Sequence, residues 1–470
     1  MDVKTVSESI MIKEIHGERF TPFSLSNKLR AKILLESASF EQGRGRYSFL
    51  LIKEAFSVFQ REDEIFLQMD GEELSIESQG RDILDVLLSI AEEHRDKQVH
   101  FPFPAGGIGY LAYDYALHFD DIKAQRKPDY TDIPDALFLL GHIFLIFDHY
   151  SDTITIVGIN YRDHWIDLKS AIRETEEKIN DLDLRYLAPV DRQYPSAVLL
   201  RGNEQEEFIE GVRRMRREII KGNLLQGVLS RRLYVRSEVP ALEAYRRLRS
   251  LNPSPYMFYL DAGEFQLFGS SPEIHVKVTE GRAKIRPLAG TRKRGKDNED
   301  DLRLERELLA DEKERAEHLM LVDLARNDLG RICRAGSVRV TATMNIERYS
   351  HVMHLVSEVE GQLAEGRNGA DAIRATFPAG TVTGAPKIRA MEIISTLEKE
   401  KRGFYSGLVG YLEPDGSLDT CITIRSALKK DDVLILQAGA GIVYDSVPEK
   451  EYEETSSKLR AMGSILDVEV

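Results

Sequence analysis

Thiols are scarce in this chain. Its two cysteines, Cys333 and Cys421, cannot build a disulfide framework or a thiolate zinc cluster, and their scarcity points to a reducing compartment. Positive charge is also in deficit. Lysine and arginine number 64 against 78 aspartates and glutamates, a net charge of −14, and the summed field repels nucleic acid and anionic membrane surfaces alike. Long apolar runs are missing too: the nearest approach, ALFLLGHIFLIF at 136–147, falls short of the roughly 20 residues that span a bilayer, contains His142, and reads as a buried strand. The first residues, MDVKTVSESIMIKEIHGER, lack the continuous apolar core of a secretion signal, so a cytoplasmic location is expected. No solenoid-length repeat or low-complexity tract is present. An anionic ligand of so acidic a protein has to meet a local cationic spot.

At 470 residues the chain exceeds the ~250–300 at which a single core stops growing, so two subdomains or one elaborated α/β unit are expected. Short β-rich runs (YSFLLIK, EIFLQM, FLLGHIFLIF, TITIVGIN) dominate the first part, followed by a polar helical stretch, IDLKSAIRETEEKINDLD. A weakly patterned segment around 188–203 is the expected boundary. Beyond it, EEFIEGVRRMRREIIKGN has helical spacing and a stop signal at Gly222-Asn223, and LLQGVLSRRLYV follows as a strand. Residues 404–428 read as a hairpin turning at Pro414-Asp415-Gly416; simple alternation there puts Ile422 and Ile424 on one face and Cys421, Thr423 and Arg425 on the other.

Two stretches, EKERAEH at 312–318 and EKEYEET at 449–455, each carry glutamates three apart: Glu314 with Glu317, and Glu451 with Glu454. That spacing puts both side chains on one helix face. Taken alone, such a face is usually solvated, and Lys313 and Arg315 are there to neutralise it. If both pairs face one cavity they form a hard-oxygen site suited to Mg²⁺. Lys458 lies one helical turn beyond Glu454, so a cation and a metal ligand project together, and Arg425 adds a second cation for a substrate with several carboxylates.

Two glycine-rich stretches imitate nucleotide loops without matching them. PAGTVTGAPKIRAMEII at 378–394 has three residues between its glycines and Ala385-Pro386 after them, so it reads as a turn feeding a helix, with Pro386 in the first turn and amides and the Thr381 hydroxyl available to an anion. QAGAGIVYDS at 437–446 lacks the third glycine of a dinucleotide fingerprint and is either a tight backbone bend or a place of close approach to ligand. Gly290-Thr291 in RPLAGTRKRG poses the same choice.

Taken in order, RPLAGTRKRG, ERAEHLMLVDLARNDLGR, VMHLVSEVEG, FPAGTVTGAPKIRAMEII, DTCITIRSAL and QAGAGIVYDSVPEKEYEET, together with LLES at 34–37 and NPSPYMFYL at 252–260, resemble the chorismate-utilising enzymes, most closely the large subunits of anthranilate synthases. The resemblance implies an α/β two-sheet sandwich with helices outside and the active site in a cleft between the sheets. It implies Mg²⁺ held by Glu317 and Glu454, bridging to the ring carboxylate of chorismate, with Glu314 and Glu451 supporting through water. It further implies that Tyr405, Arg425, the amides of Gly439, Ala440 and Gly441, and Lys458 hold the enolpyruvyl side chain, while Gly290 and Thr291 line the ring. Two regions are expected on this basis: a strand-rich part at 1–190 that contributes a feedback site, and a chorismate-binding catalytic part at 204–465.

Within the resemblance, three features separate the branches. Gln226 stands where water-adding relatives carry a lysine base, and a neutral amide cannot serve as that base, so ammonia is the expected nucleophile. Ala289 stands where many aminodeoxychorismate synthases, the alternative branch, carry a nucleophilic lysine. QAGAGIV with NPSPYM resembles anthranilate synthases. The expected chemistry is ammonia addition at C2 with Glu273 protonating the departing C4 hydroxyl, then pyruvate elimination with His354 taking part. Glu36, Ser37, Pro255, Tyr256 and Met257 resemble a tryptophan feedback pocket, with polar partners for an ammonium and apolar contacts for an indole. Neither cysteine sits in a glutaminase setting, so ammonia is expected from a separate glutamine amidotransferase subunit, making a hetero-oligomer.

Overall fold

The 136–147 run does form a strand, Ala136–Asp148, paired with Tyr47–Arg61. Both are too long for one flat sheet, and register shifts between Leu51 and Phe56 bulge the pair in its middle. Bulges bend a strand and sharpen its twist, so the neighbours on either side of the bend belong to two diverging halves. In the computed structural model the described residues are 3–37, 45–162, 164–181, 192–199, 203–349, 352–466 and 468.

From the Tyr47 end the first half runs through Ile33–Glu36, Tyr256–Asp261, Phe265–Ser271, Ser426–Lys430, Val433–Ile442 and Gln226–Ser237. From the Ala136 end the second runs through Ile108–Leu111, Leu408–Leu412, Leu418–Ile422, Ile274–Thr279, Arg282–Ile285 and Val352–Gln362, the last flanked by Leu288–Lys293 and Arg339–Arg348. All 23 strands among the described residues therefore share one hydrogen-bonded network. The two sheets implied by the resemblance are its two halves, joined through the bulged pair. Rings from both halves meet: Tyr110 packs edge-on to Phe265 with centroids 6.0 Å apart, and Phe49 meets Tyr411 at 4.9 Å. Each such buried side chain contributes about 1.5–3 kcal/mol.

Helices cover the outside. Glu204–Ile220, Lys387–Leu397 and Pro448–Gly463 lie against the strands Gln226–Ser237 and Val433–Ile442, with Val212, Met215, Ile394 and Ala440 buried among them. The Glu312–Gly330 helix packs on Leu288–Lys293 and Val352–Gln362. The Glu204–Ile220 helix stops as its sequence predicts, with Gly222 left-handed at φ 79°. No helix among the described residues is long and apolar enough to cross a membrane.

The expected boundary around 188–203 lies partly outside the described residues; within it Ser196–Leu199 pairs with the strand Gln226–Ser237. Strands from before and after that boundary are interleaved in both halves. The hairpin at 404–428 turns where expected, but its second strand ends at Ile422, and Arg425 adopts a left-handed conformation at φ 50° before a new strand starts at Ser426. Alternation therefore does not place Arg425; the break does. QAGAGIV is no bend: its residues 437–442 form the second half of the strand Val433–Ile442, and Val443 follows the strand's end.

Candidate active site

The two glutamate pairs sit on two helix starts that face each other. The Glu312–Gly330 helix is capped by Asp311, whose carboxylate accepts from the amides of Lys313 and Glu314, and the Pro448–Gly463 helix opens on a proline. Lys313 lies 3.7 Å from Glu317, and its charge also acts on Glu451 across the gap. Burial pushes Glu317 and Glu451 above the usual carboxylate range, and the charges of Glu314 and Glu454 add to the effect. Carboxylates that resist ionising in this way are what a divalent cation relieves. The described residues form no complete cage of three or more such groups. Mg²⁺ does not require one, because it binds through one or two carboxylates and takes its other oxygens from water and substrate. Glu317 is free for such a role apart from Lys313, whereas Glu454 is ion-paired to Lys458, which a cation would have to displace. Glu314 is engaged by the Arg292 guanidinium at 3.0 Å and lies beside Gly290.

A cationic wall stands next to the carboxylates. Lys458 donates to Glu454 at 2.7 Å and to the Gly439 carbonyl at 2.8 Å. The Arg425 side chain donates no hydrogen bond to any described residue; burial lowers its pKa, opposed by Tyr405 and Glu454. A desolvated cation without a protein partner is costly unless an anion completes it.

The glycine strand supplies amides for that anion. Gly439 pairs with Ser230 and Gly441 with Val228, yet the Ser230 amide donates to Glu398 and the Val228 amide to the Thr383 carbonyl. Both are thus non-hydrogen-bonded pairs of the antiparallel ladder, and the amides of Gly439 and Gly441 point to the strand's unpaired edge, on the Lys458 side. Ala440 is a correction to the expected triplet: its pair with Leu229 belongs to the hydrogen-bonded set, and its side chain is buried in the outer helix layer. A Cβ at Gly439 would sit 3.1 Å from the Tyr405 hydroxyl, and one at Gly441 would sit 2.6 Å from Gln226 Nε2. Gln226 Oε1 is buried without a partner. Glycine keeps this edge open to ligand.

Two titratable groups with displaced pKa values face the same cleft. Glu273 follows the strand Phe265–Ser271, and burial pushes it up to about 8, moderated by Thr381. The Thr381 hydroxyl approaches without hydrogen-bond geometry and has no other partner. It belongs to a short turn, Gly380–Val382, well before the helix it was expected to introduce; Pro386 caps that helix instead of entering its first turn, and Lys387 Nζ turns inward to Asp328. His354 lies on Val352–Gln362 opposite Thr291, and burial lowers it to about 4, with the Gly290 carbonyl opposing and Arg425 and Lys458 adding to the drop. Its Nδ1 lies 3.0 Å from the Thr291 hydroxyl and 3.2 Å from the Gly290 carbonyl. A carbonyl only accepts, so Nδ1 carries the proton and Nε2 the lone pair. Gly290 is the bulge residue of its strand at φ 72°, which a side chain would strain. Tyr349 joins the two groups, stacking edge-on to His354 at 5.4 Å while its hydroxyl senses the Glu273 charge.

One part of the site escaped the sequence. Arg402, in the charge run KEKR, is fully buried; it donates to Glu398, to the Val228 carbonyl and to the Val382 carbonyl, each at 2.7 Å. It thereby ties the glycine strand's neighbour to the Thr381 turn. A run of alternating charges normally marks a solvated face, so nothing in its pattern announced this.

The expected feedback residues border a cavity of about 790 Å³ between the halves, lined by Ser37, Phe49, Pro255, Tyr256, Phe258 and Tyr411 among others. They divide between the two faces of a sheet. Glu36 pairs with Met257, and Leu35 with Phe258, so alternation turns Glu36 and Met257 away from the face that carries Leu35, Tyr256 and Phe258. The Glu36 carboxylate accepts from Tyr245 and Arg249, both at 2.7 Å, on that other face. Tyr256 donates to Asp419 at 2.9 Å across the cavity.

Residues 38–464 match the family described as chorismate binding enzymes. The anthranilate synthase component 1 of Spirochaeta aurantia is 57% identical over 98% of this chain and 96% of its own length. That of Aquifex aeolicus is 42% identical over 99% and 97%. The crystal structure of anthranilate synthase component I from Streptococcus pneumoniae superposes with a TM-score of 0.80 at 34% identity, covering 95% of this chain and 98% of that one.

Proposed function

The chain belongs to the chorismate-binding enzymes, and from that premise we propose that it is the large component of an anthranilate synthase, converting chorismate and ammonia to anthranilate, pyruvate and water. The observation that carries the reading is an inverted pair: a carboxylic acid held protonated, with a pKa of about 8, and an imidazole held neutral, with one of about 4, in one cleft. Their ordinary order is the reverse.

Ammonia attacks ring C2, the ring double bonds shift, and the C4–O bond breaks as Glu273 delivers its proton, so the hydroxyl leaves as water. The nitrogen gives up a proton, leaving aminodeoxyisochorismate. His354, with its free Nε2, is placed to accept the C2 proton; the C3–O bond then breaks, the enolpyruvate takes a proton on its methylene carbon to become pyruvate, and the ring aromatises. Arg425, Lys458 and the Gly439 and Gly441 amides hold the enolpyruvyl carboxylate. Gln226 offers no base to activate water, which favours ammonia. Glu317 and Glu454 would hold Mg²⁺, which neutralises the ring carboxylate when bound. A separate amidotransferase subunit supplies the ammonia, and tryptophan bound in the cavity lined by Ser37 and Tyr256 shuts the reaction down.

The test is to incubate the purified chain with chorismate, Mg²⁺ and ammonium at about pH 8, where the rising share of free ammonia meets the falling share of protonated Glu273. Anthranilate fluorescence with equal pyruvate release, lost on chelation and restored by Mg²⁺, is the expected result. Loss of chorismate to a product that yields 4-aminobenzoate only after a lyase is added would assign the chain to the aminodeoxychorismate branch.

A further inference from the structure

Once Glu273 has given its proton to the departing hydroxyl it is a carboxylate in a site that bulk water does not reach directly, since the residue is only 7% exposed. It needs a proton back before the next turnover. Beside it, between the Glu312–Gly330 helix and the Gly380–Val382 turn, lies a cavity of about 30 Å³, the room that one water takes up. Its polar lining is Glu273, His275, Asp328, Thr376 and Thr381. The Thr381 hydroxyl is buried without a partner, so a water held here meets an unsatisfied group.

Two titratable groups besides Glu273 border the cavity. His275 is held at both ring nitrogens, with Nδ1 3.2 Å from the Thr420 hydroxyl and Nε2 3.2 Å from the Thr376 hydroxyl. Asp328 keeps an oxygen free among the described residues: Lys387 Nζ donates to its Oδ2 at 2.8 Å and gives a second bond to the Thr376 carbonyl at 2.7 Å. Burial raises the pKa of Asp328, opposed mainly by Lys387, so this carboxylate takes up a proton more readily than an exposed one. Its side chain stays 11% exposed, and the charge that acts on it from the next helical turn is that of Arg331, half-exposed and paired with Asp120 at 3.1 Å. Asp328 thus adjoins the cavity and still meets solvent. We propose that Asp328 is the relay residue that returns a proton to Glu273 through one water held in this cavity. This assignment rests on Glu273 being the acid of the reaction proposed above. Solvent protonates Asp328, Asp328 passes that proton to the water, and the water gives one of its own to Glu273. The proton released by the added nitrogen balances the one taken from solvent.

Burst kinetics test it, following chorismate loss with Mg²⁺ and excess ammonium at about pH 7, where Glu273, with a pKa of about 8, starts protonated. Asp328→Asn keeps an acceptor for Lys387 but cannot carry the proton. It is expected to consume the first equivalent of chorismate at the wild-type rate and then to turn over about tenfold to a hundredfold more slowly, with a solvent deuterium isotope effect on the slow phase that the burst does not show. A merely structural role slows the first and the later turnovers alike. Should the uncompensated Lys387 unfold this variant, Asp328→Asn combined with Lys387→Met removes both buried charges and is read in the same way. A steady-state rate equal to the wild type's, a first turnover slowed as much as the rest, or a slow phase without an isotope effect overturns the proposal and leaves the functional reading in place. A wild-type chain that makes no anthranilate overturns that reading and the relay with it.

Discussion

Glu273 and His354 show how far local environment resets ordinary side chains. A carboxyl with a pKa of about 8 is a proton donor at neutral pH, and an imidazole with one of about 4 is an acceptor. Activity is therefore expected to fall below about pH 4 as His354 becomes protonated and above about pH 8 as Glu273 loses its proton, a bell read in kcat/KM for chorismate. Glu273→Gln keeps the shape but not the proton and is expected to lower kcat by about 10²–10⁴, removing the alkaline limb. His354→Met is expected to leave the first step intact and let the amino intermediate accumulate, detectable by chromatography of the quenched reaction; undiminished anthranilate formation would deny His354 its role. Both residues were legible in the sequence through their motifs. Their protonation states were not, because a pKa shift of this size comes from burial, and burial is a property of the packed chain.

The elements convert sequence spacing into chemistry, and they did so with differing fidelity. The glutamate pairs were fully legible, since three residues apart on a helix means one face whatever the helix packs against. The glycine strand was half legible. Its glycines mark close approach, but only the ladder parity decides that Gly439 and Gly441 free their amides while Ala440 does not. Arg402 was illegible, because a buried arginine and a surface arginine in KEKR look the same in sequence. Removing one partner of a buried ion pair leaves the other charge uncompensated, so Arg402→Met is expected to destabilise the protein by about 3–5 kcal/mol in urea unfolding. Adding Glu398→Leu should recover part of that loss; a double variant as unstable as the sum of the two singles would show that the pair is not coupled.

The whole molecule joins the 790 Å³ cavity to the cleft that holds Glu273 and Arg425 by sharing strands between them. The strand Ile274–Thr279 begins one residue after Glu273 and carries Lys277 into the 790 Å³ cavity, while Leu418–Ile422 carries Asp419 there and ends three residues before Arg425. Tyr256, from the other half of the network, is hydrogen-bonded to Asp419 across the gap. A ligand that alters this contact acts on strands that end beside Glu273 and Arg425. Ser37→Phe, which fills the cavity mouth from the Ile33–Glu36 strand, is expected to relieve tryptophan inhibition at least tenfold in IC50 while anthranilate formation without tryptophan persists. Inhibition of the same strength in that variant would place the feedback site elsewhere.

By itself the sequence determined the class of chemistry, the helix faces that present the carboxylates, and most of the strands and turns. These follow from composition, from periodicities of 3.6 and 2, and from motifs whose residues are neighbours in the chain. Tertiary structure decided the rest. Sheet parity chose which amides are free and gave Glu36 Oε1 to Tyr245 and Arg249, a break in backbone conformation placed Arg425, and enclosure set the protonation of Glu273 and His354. Each of these depends on which distant segment lies alongside, and the free energy of a buried charge or an unpaired amide is fixed by that neighbour and by the exclusion of water, neither of which is encoded at any single position.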